Sequence, residues 1–326
     1  MSGLDAESQL AGELLDGRYR VRDILSAGSM AHVYLAEDRA TEQPIIIKML
    51  SPESETDPEL RGRLAREAQA ALSIRHPNVV QALDFGETED GRQYFAMELV
   101  PGRPLGELLR HRPLLPIDVT ITIVRQAAAG LAAVHAAGVV HRDVKPDNMV
   151  VLGEPEAPYG VKIVDFGMAK LTDANGTSGM NTVVGTAAYM APEQILVDPV
   201  DPRTDVYQLG VVLFRLLTGH LPFETESVDV LRHQIFSPVP PPSWLADRVD
   251  ERLEAIVINA TRKEPDNRYP TMADFVADLD VVVGLVDRKV EIRPLSVDPD
   301  AYRPRSKQAE RAIDVLAKKF GVHARR

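Results

Sequence analysis

The sequence contains no cysteine among its 326 residues. Without thiols the chain can form neither a disulfide scaffold nor a thiolate zinc site, and it has no cysteine nucleophile. It also lacks any apolar run near the roughly 18 residues that a membrane-spanning helix requires, the run at 281–286 being typical. These absences predict a protein of a reducing compartment without a membrane span, which means a cytoplasmic location.

Basic residues are missing from the first 16 positions, which hold four acidic side chains. A signal peptide begins with a positively charged region, so none is predicted. The formal net charge of the whole chain is −11, which argues against nucleic acid as the main partner. The charge is uneven, because residues 303–326 hold eight basic and two acidic residues, a net charge of +6, which leaves −17 on residues 1–302.

The composition that remains is that of a globular protein. Apolar residues make up 44% of the chain and charged residues 26%, so there are enough apolar side chains for a core. At roughly 150 residues per domain, the length predicts about two domains or one domain of two lobes. No internal repeat is visible.

Short strands are predicted for the first hundred residues. Their apolar residues alternate or form short runs, at 19–22, 32–36, 44–50 and 93–100. One helix interrupts the strands, with Asp57 as its N-cap and Pro58 at its first position. The sequence therefore predicts a small strand-rich lobe at the start of the chain.

Helical spacing takes over after about residue 102. Apolar residues repeat at helical intervals over 118–137, and residues 206–217 are apolar on almost every side, as in a fully buried helix that ends at Gly219. Asp205 opens this second helix and is its predicted N-cap. A larger helical lobe is thus predicted to follow the small one.

Four segments in a fixed order carry the chemistry. They are the strand IIIK at 45–48, the box HRDVKPDN at 141–148, DFG at 165–167 and APE at 191–193. In this order they resemble the eukaryotic-type protein kinase family, specifically its bacterial serine/threonine branch, over about residues 19–283. The resemblance implies an α+β bilobal protein kinase fold, with an antiparallel-sheet N-lobe at 19–100 containing one key helix and a larger helical C-lobe at 101–283. Residues 1–18 and 284–326 are then extensions.

The resemblance implies a serine/threonine protein kinase that transfers the γ-phosphoryl group of ATP to protein hydroxyls. Phosphoryl transfer requires positioning, charge neutralisation and a proton acceptor. Asp143 is expected to accept the proton of the substrate hydroxyl, and Lys145 to offer positive charge to the transferring group. Asn148 and Asp165 supply oxygen ligands that suit Mg²⁺, or Mn²⁺ in its place.

Lys48 and Glu67 form a further predicted pair. Glu67 lies within the apolar stripe of the helix that begins at Pro58, where an unpaired carboxylate is costly. The resemblance supplies Lys48 as its partner and gives the pair the role of aligning the ATP phosphates. The alternatives are an exposed glutamate and a strand-end lysine that extends into water.

The glycine-rich loop departs from the family pattern. Of its three glycines only Gly28 is present, because Ser26 and Ala31 stand at the other two positions, with Val33 closing the motif. Glycines let backbone amides approach phosphate oxygens, so these replacements support the alternative of a kinase-fold pseudokinase or scaffold that binds ATP weakly.

The resemblance also implies an adenine pocket. Met97 is expected at its back as the gatekeeper, and Glu98 and Val100 in the hinge that offers backbone hydrogen bonds to adenine.

Control residues are predicted around residues 165–193. By resemblance Arg142 grips a phosphate on this activation loop. Thr182 is the first predicted phosphosite, with Thr177 and Ser178 next, and autophosphorylation is expected. Thr186 is expected to bond to Asp143 and Lys145 and to shape the substrate platform.

Two structural pairings follow from the same resemblance. Glu193 is expected to form a salt bridge with Arg268, and Asp205 to hold the backbone of the catalytic loop as well as capping its helix.

The basic tail has no counterpart in the family. Residues 306–320 are compatible with a helix that packs on the large lobe, and the opposite charges of tail and body also favour docking of the tail on its own kinase domain. Protein substrates with serine or threonine are the expected partners. The sequence leaves undecided whether the protein forms a homodimer and whether the chain continues past Arg326.

Overall fold

The computed structural model describes residues 12–27, 31–51, 55–154, 157–165, 187–224 and 229–284. Within these residues the strands are β1 (Leu14–Leu15), β2 (Tyr19–Ala27), β3 (Ala31–Asp38), β4 (Gln43–Leu50), β5 (Ala82–Glu87), β6 (Gln93–Glu98), β7 (Arg103–Pro104), β8 (Met149–Glu154) and β9 (Ala157–Ile163). The helices are α1 (Pro58–Ser73), α2 (Leu105–His111), α3 (Ile117–Ala136), α4 (Pro192–Leu196), α5 (Pro202–Thr218), α6 (Asp229–Phe236), α7 (Glu251–Ala260) and α8 (Met272–Val282). Short 3₁₀ turns lie at Pro146–Asn148, Pro242–Trp244 and Pro265–Asn267.

The N-lobe is built on one antiparallel sheet of six strands. Their order is β1-β2-β3-β4-β6-β5, and β4 is the strand that links the first hairpins to the β5–β6 hairpin. Alternation of apolar residues gives the sheet two covered faces. One face packs Ile45, Ile47 and Met49 against Tyr19 and other residues of β1–β3.

The other face of this sheet packs against helix α1. Leu64, Ala68 and Ala71 of α1 form a cluster with Leu50, Met97 and further apolar residues of the sheet. The helix begins at Pro58, as predicted, because proline lacks the N–H that the first turn leaves unpaired. The apolar stripe therefore seats α1 directly behind the strand that carries Lys48.

The C-lobe core is mostly helical. Helix α5 supplies more of its fully buried side chains than any other described helix, among them Tyr207 and Phe214, and α7 adds others such as Ile256. Among the described helices, α3 is the one that is long and apolar enough, by length and composition alone, to cross a bilayer. However, 56% of its most apolar 18-residue stretch is buried inside the protein. Its buried face includes Val124 and Leu131 and packs in the core.

The start of helix α5 differs from the prediction. Asp201 is its N-cap and accepts a hydrogen bond from the Arg203 N–H, while Gly219 ends the helix at a φ of 80°. The prediction that Asp205 caps this helix is therefore wrong. The reason is Pro202, which starts the helix one turn earlier than the apolar pattern indicates and leaves Asp205 inside the first turns with a carboxylate to pair elsewhere.

The two lobes are joined by backbone and amide contacts. The Val80 N–H donates to the Ile163 carbonyl, and the Ile163 N–H donates to the Asn78 carbonyl. The Asn78 side chain then reaches Gln126 of α3 at 2.9 Å. The predicted bilobal α+β architecture, with an antiparallel N-lobe sheet and a helical C-lobe, is confirmed.

Candidate active site

The catalytic loop has a strained backbone at Arg142. This residue has a φ of 68°, in the left-handed region that disfavours any side chain but glycine. Asp205 compensates, because its carboxylate accepts the backbone N–H groups of Arg142 and His141 at 2.7 and 2.8 Å. Asp205 thus holds the loop in the way predicted for it, from a position that is completely buried.

Asp143 lies at the centre of the candidate site with two polar neighbours. Its Oδ2 accepts hydrogen bonds from Lys145 Nζ and from Asn148 Nδ2, both at 2.8 Å. The same amide group of Asn148 also donates to the Asp143 carbonyl. Because both bonds use Nδ2, the amide oxygen of Asn148 is turned to the other side.

Asp165 and Lys48 come together across the two lobes. Lys48 Nζ lies 3.0 Å from Asp165 Oδ1, although 117 residues separate them in sequence. Lys48 lowers the pKa of Asp165, and burial of the carboxyl opposes this shift. His141 and Lys145 lower the pKa further. Asp165 also has a left-handed φ of 58°, a strained backbone of the kind that clusters at functional sites.

Ser26, Val33 and Lys48 form one row across the N-lobe sheet. Ser26 pairs with Val33 in the β2–β3 ladder, and Val33 pairs with Lys48 in the β3–β4 ladder. Directly opposed residues share a face of the sheet, so the row leads from the predicted glycine-rich loop to the lysine. Ala31 begins β3 opposite Leu50. Both replaced glycine positions therefore belong to paired strands, with an irregularity in the β2 register just before Ser26.

The residues predicted to line the adenine pocket lie at and just after the end of β6. Met97 is 6% exposed and packs in the cluster behind the sheet. Glu98 is the last residue of β6, and its carboxylate accepts bonds from the Lys162 ammonium at 2.5 Å and from the Gln81 N–H at 2.8 Å. The Val100 carbonyl accepts from the Gly102 N–H. The Glu98 side chain is therefore bonded to β9 of the C-lobe through Lys162.

The predicted salt bridge between Glu193 and Arg268 is present and buried. Arg268 donates two parallel hydrogen bonds to the two carboxylate oxygens, at 2.7 and 2.8 Å. Thr204 adds a third bond to the carboxylate. These bonds keep the pKa of Glu193 below its ordinary value against the effect of burial. The pair fixes the start of α4 beside the catalytic loop.

Several predicted residues lie outside the described part of the structure. They are Gly28, the side chain of Glu67, and the loop residues Thr177, Ser178, Thr182 and Thr186. The proposed Lys48–Glu67 pair, the phosphosites, the substrate platform residue Thr186 and the tail at 285–326 thus stay predictions.

Two glutamines and a histidine support the site without having been predicted. Gln194 and Gln208 both donate to the Arg142 carbonyl, and Gln208 also accepts the Val144 N–H. His135 contacts the Asp205 carboxylate at 2.7 Å. One signal existed for Gln208, since it follows Asp205 by three residues and therefore shares its helix face.

The assembled groups can hold a polyphosphate and a hydroxyl side by side. One carboxylate bridged by a lysine and an asparagine can accept a proton beside a positive charge, and a second carboxylate kept ionised by Lys48 can bind a cation. This is the chemistry that phosphoryl transfer demands.

Comparison with known proteins shows the family of the chain. The protein kinase domain family matches residues 19–278 of the chain. The chain is 38% identical to the serine/threonine-protein kinase PknB of Mycobacterium leprae over 270 residues, which are 81% of this chain and 43% of that protein. It is 35% identical to the serine/threonine-protein kinase Pkn3 of Myxococcus xanthus, covering 84% of this chain and 51% of that protein.

A solved structure shares the fold. The crystal structure of the PknI kinase domain of Mycobacterium tuberculosis, a mutant form, aligns with a TM-score of 0.66 and 27% identity, covering 84% of this chain and 98% of that one. The chain therefore belongs to the protein kinase family, and its relatives are serine/threonine-protein kinases of bacteria. It spans about two fifths to one half of the length of these curated relatives.

Proposed function

We propose that this protein is an ATP-dependent serine/threonine protein kinase that phosphorylates proteins, including its own activation loop. The observation that carries the proposal is the arrangement at Asp143, whose carboxylate contacts both Lys145 and Asn148 while Asp165 is held by Lys48. The whole of residues 19–283 is the proposed catalytic domain, flanked by extensions at 1–18 and 284–326.

The proposed reaction is a direct phosphoryl transfer. The hydroxyl oxygen of a substrate serine or threonine forms a bond to the γ-phosphorus of ATP as the bond from that phosphorus to the β–γ bridging oxygen breaks. ADP leaves with the electron pair, and Asp143 takes the hydroxyl proton. Lys145 Nζ, which contacts Asp143 Oδ2, supplies positive charge beside the transferring group.

The donor set fits a divalent cation. The amide oxygen of Asn148 faces away from Asp143, and Asp165 keeps Oδ2 while Oδ1 contacts Lys48. Oxygen donors of this kind suit Mg²⁺, and Mn²⁺ accepts the same set. When bound, the cation would neutralise phosphate charge. Asn148 and Asp165 are the residues that would hold it.

The row of Ser26, Val33 and Lys48 is the proposed contact with the nucleotide on the N-lobe side, with Gly28 and Glu67 completing it. Met97, Glu98 and Val100 are proposed to line the adenine side. Ser26 and Ala31 lie on the paired strands β2 and β3. The presence of Lys48, Asp143 and Asp165 favours the enzyme over the scaffold alternative.

Arg142 is proposed to bind the phosphorylated activation loop. Among the described residues its Nε is buried without a hydrogen-bond partner, a state that costs about 1–3 kcal/mol unless an acceptor arrives. A phosphate at Thr182, or at Thr177 or Ser178, would supply that acceptor. Replacement Thr182→Ala is then expected to lower activity. Unchanged kinetics together with no phosphate at Thr182 in mass spectrometry would exclude this site.

The central experiment is phosphoryl transfer from labelled ATP in the presence of Mg²⁺. Asp143→Asn is expected to lower the rate by about 10²–10⁴-fold, because the amide cannot accept the proton. Asp90→Asn, at an exposed carboxylate of the β5–β6 hairpin, is the matched control and is expected to keep wild-type activity. A folded wild-type protein that incorporates no label would contradict the proposed kinase function and favour the scaffold alternative.

The basic tail at 303–326 is proposed to dock on the acidic kinase domain in the cytoplasm. Its charge of +6 opposes the −17 of residues 1–302, and salt should weaken such an interaction. Deleting residues 303–326 is expected to lower the melting temperature at low salt only. A deletion that changes neither stability nor activity would rule the docking out.

A further inference from the structure

A chain of hydrogen-bonded polar side chains runs through the C-lobe to the segment that follows the activation loop. It starts at Lys263, passes through Tyr207 of α5 and Gln234 of α6, and ends at the backbone carbonyl of Ala188. Tyr207 and Gln234 are completely buried. Ala188 lies two residues beyond Thr186 and three before the APE segment. The hydrogen bonds of this chain do not involve Asp143.

The first link of the chain is a half-buried ammonium group. Lys263 Nζ donates to the Tyr207 hydroxyl at 2.9 Å and lies 3.4 Å from the His233 carbonyl. It also lies over the rings of Phe223 and Tyr207, 5.1 and 5.2 Å from their centroids. Burial lowers the pKa of Lys263 well below its usual value, and the neighbouring Arg268 lowers it further.

A lysine at this position is not explained by stability. Burying an amine is costly, and an apolar side chain of similar length usually packs at least as well in such a place. The rings and the tyrosine oxygen around Lys263 compensate part of this cost. The Lys263 ammonium therefore has a role other than packing, and its hydrogen bonds indicate that role.

The hydrogen bonds of the chain all point one way. Because the Tyr207 oxygen accepts the bond from Lys263, its proton is left for Gln234 Oε1, and the two groups are in contact. The amide of Gln234 is then oriented with Nε2 toward Ala188, where it donates to the carbonyl at 2.5 Å. Hydrogen bonds arranged head to tail strengthen one another.

The end of the chain is a structured backbone segment. Ala187, Ala188 and Tyr189 are each less than 8% exposed, and the Met190 N–H closes a turn onto the Ala187 carbonyl at 3.2 Å. On its other side the segment continues into α4, whose Gln194 donates to the Arg142 carbonyl. The segment is thus held by the catalytic loop at one end and by Gln234 at the other.

We propose that Gln234 is a positioning residue for the protein substrate. Oriented by Tyr207 and Lys263, it fixes the backbone at Ala187–Tyr189 beside the place where the substrate hydroxyl accepts the phosphoryl group. The inference rests on the proposed kinase function and deepens it, since it assigns substrate selectivity to residues of α5 and α6 that touch neither ATP nor the reacting atoms. Loss of the amide should therefore affect the peptide and leave the nucleotide unaffected.

The test uses the full chain, ATP with Mg²⁺, and a pool of peptides with one threonine at a fixed position among degenerate residues. Gln234→Met keeps the length of the side chain and removes both polar atoms. It is expected to raise the KM for peptide at least fivefold and to flatten the preference among flanking residues, while the KM for ATP changes less than twofold. Tyr207→Phe, which keeps the ring and removes the hydroxyl, is expected to act in the same direction more weakly.

Thr218→Val is the matched control. It removes another buried hydrogen bond of α5, donated to the Phe214 carbonyl, at the opposite end of the helix. It is expected to lower the melting temperature without changing either KM or the flanking preference.

The outcomes separate the two proposals. If the wild type phosphorylates peptides and both Gln234→Met and Tyr207→Phe keep its peptide KM and preference, the positioning role is refuted and the kinase function stands. Equal changes in both KM values would also refute it, because they indicate a general structural defect. A folded wild type that phosphorylates neither itself nor any peptide overturns the kinase function and the inference with it.

Discussion

At the scale of single residues, the pair of Glu193 and Arg268 shows how a buried charge is tolerated. The arginine side chain is fully buried, yet each of its nitrogens donates to the carboxylate or to a backbone carbonyl. Completely satisfied hydrogen bonding of this kind offsets the desolvation of both ions, whereas removal of one partner leaves the other ion buried alone.

Arg268→Met is therefore expected to destabilise the protein by about 3–5 kcal/mol, which corresponds to a fall of about 10 °C in melting temperature. Arg252→Met removes an exposed pair with Asp250 and is expected to change stability by less than about 1 kcal/mol. Thermal unfolding followed by circular dichroism compares the two. Equal effects would mean that burial does not set the strength of the Glu193 pair.

Glu264 provides a pH-dependent prediction. Its Oε1 is buried without a hydrogen-bond partner among the described residues, and burial raises the pKa of its carboxyl to about 7. The unfolded chain has the lower pKa, so folding favours the protonated form. The stability that this group contributes is present below about pH 4.5 and is lost as the pH rises toward and through 7.

Glu264→Gln is consequently expected to raise the melting temperature at pH 8 by about 2 °C, because it removes a carboxylate that ionises in a partly buried place. At pH 5 the variant and the wild type should melt together. The measurement is thermal unfolding across pH 5–8. A difference that grows toward low pH would contradict the assignment.

At the scale of elements, the close approach between α3 and the loop before β5 depends on Gly130. A β-carbon added there would lie 2.5 Å from the Asn78 carbonyl oxygen, which is a backbone atom. That carbonyl also accepts the Ile163 N–H that joins the lobes. The helix therefore needs a glycine at a position where propensity alone favours alanine.

Gly130→Ala is expected to destabilise the protein by about 1–3 kcal/mol through overpacking. The matched substitution is Gly62→Ala in α1, where the added carbon meets only the end of the Arg66 side chain at 3.6 Å, and it is expected to stabilise by about 0.5–1 kcal/mol. Urea unfolding measures both. Stabilisation by Gly130→Ala would show that the backbone contact is loose.

Many of the helix boundaries follow from the sequence pattern. Pro58 and Gly219 mark a helix start and a helix end that the structure confirms. The start of α5 was missed because Asp201 and Pro202 precede the apolar pattern by a turn. Likewise, no local pattern reveals that His135 contacts Asp205, that Gln194 donates to Arg142 or that Gln234 donates to Ala188, since each of these bonds joins residues more than 40 positions apart.

At the scale of the whole molecule, Lys48 of the N-lobe and Asp165 of the C-lobe form a contact between the two lobes. A nucleotide with its cation bound there would contact both lobes and hold them together. Ligand that binds only the folded state stabilises it by about 2.7 kcal/mol at a hundred times its Kd.

A non-hydrolysable ATP analogue with Mg²⁺ is expected to raise the melting temperature of the wild type by about 5 °C or more. Asp165→Asn is expected to lose most of this shift, because a neutral amide binds the cation poorly and no longer pairs with Lys48. Asp90→Asn should retain the full shift. Differential scanning fluorimetry measures the melting temperature of the wild type and of both variants. An undiminished shift in Asp165→Asn would show that the Asp165 carboxylate does not take part in binding the nucleotide and its cation.

The sequence by itself determined the class of fold and the two lobes, and it predicted the site residues. Local signals suffice for these features, because strand and helix periodicity and the order of short motifs are written in neighbouring residues. The tertiary structure decided the pairings: Lys48 with Asp165, Asp205 with the strained Arg142 backbone, and Gln234 with Ala188. Such contacts join positions dozens of residues apart. They depend on how helices and strands pack, which no local pattern specifies.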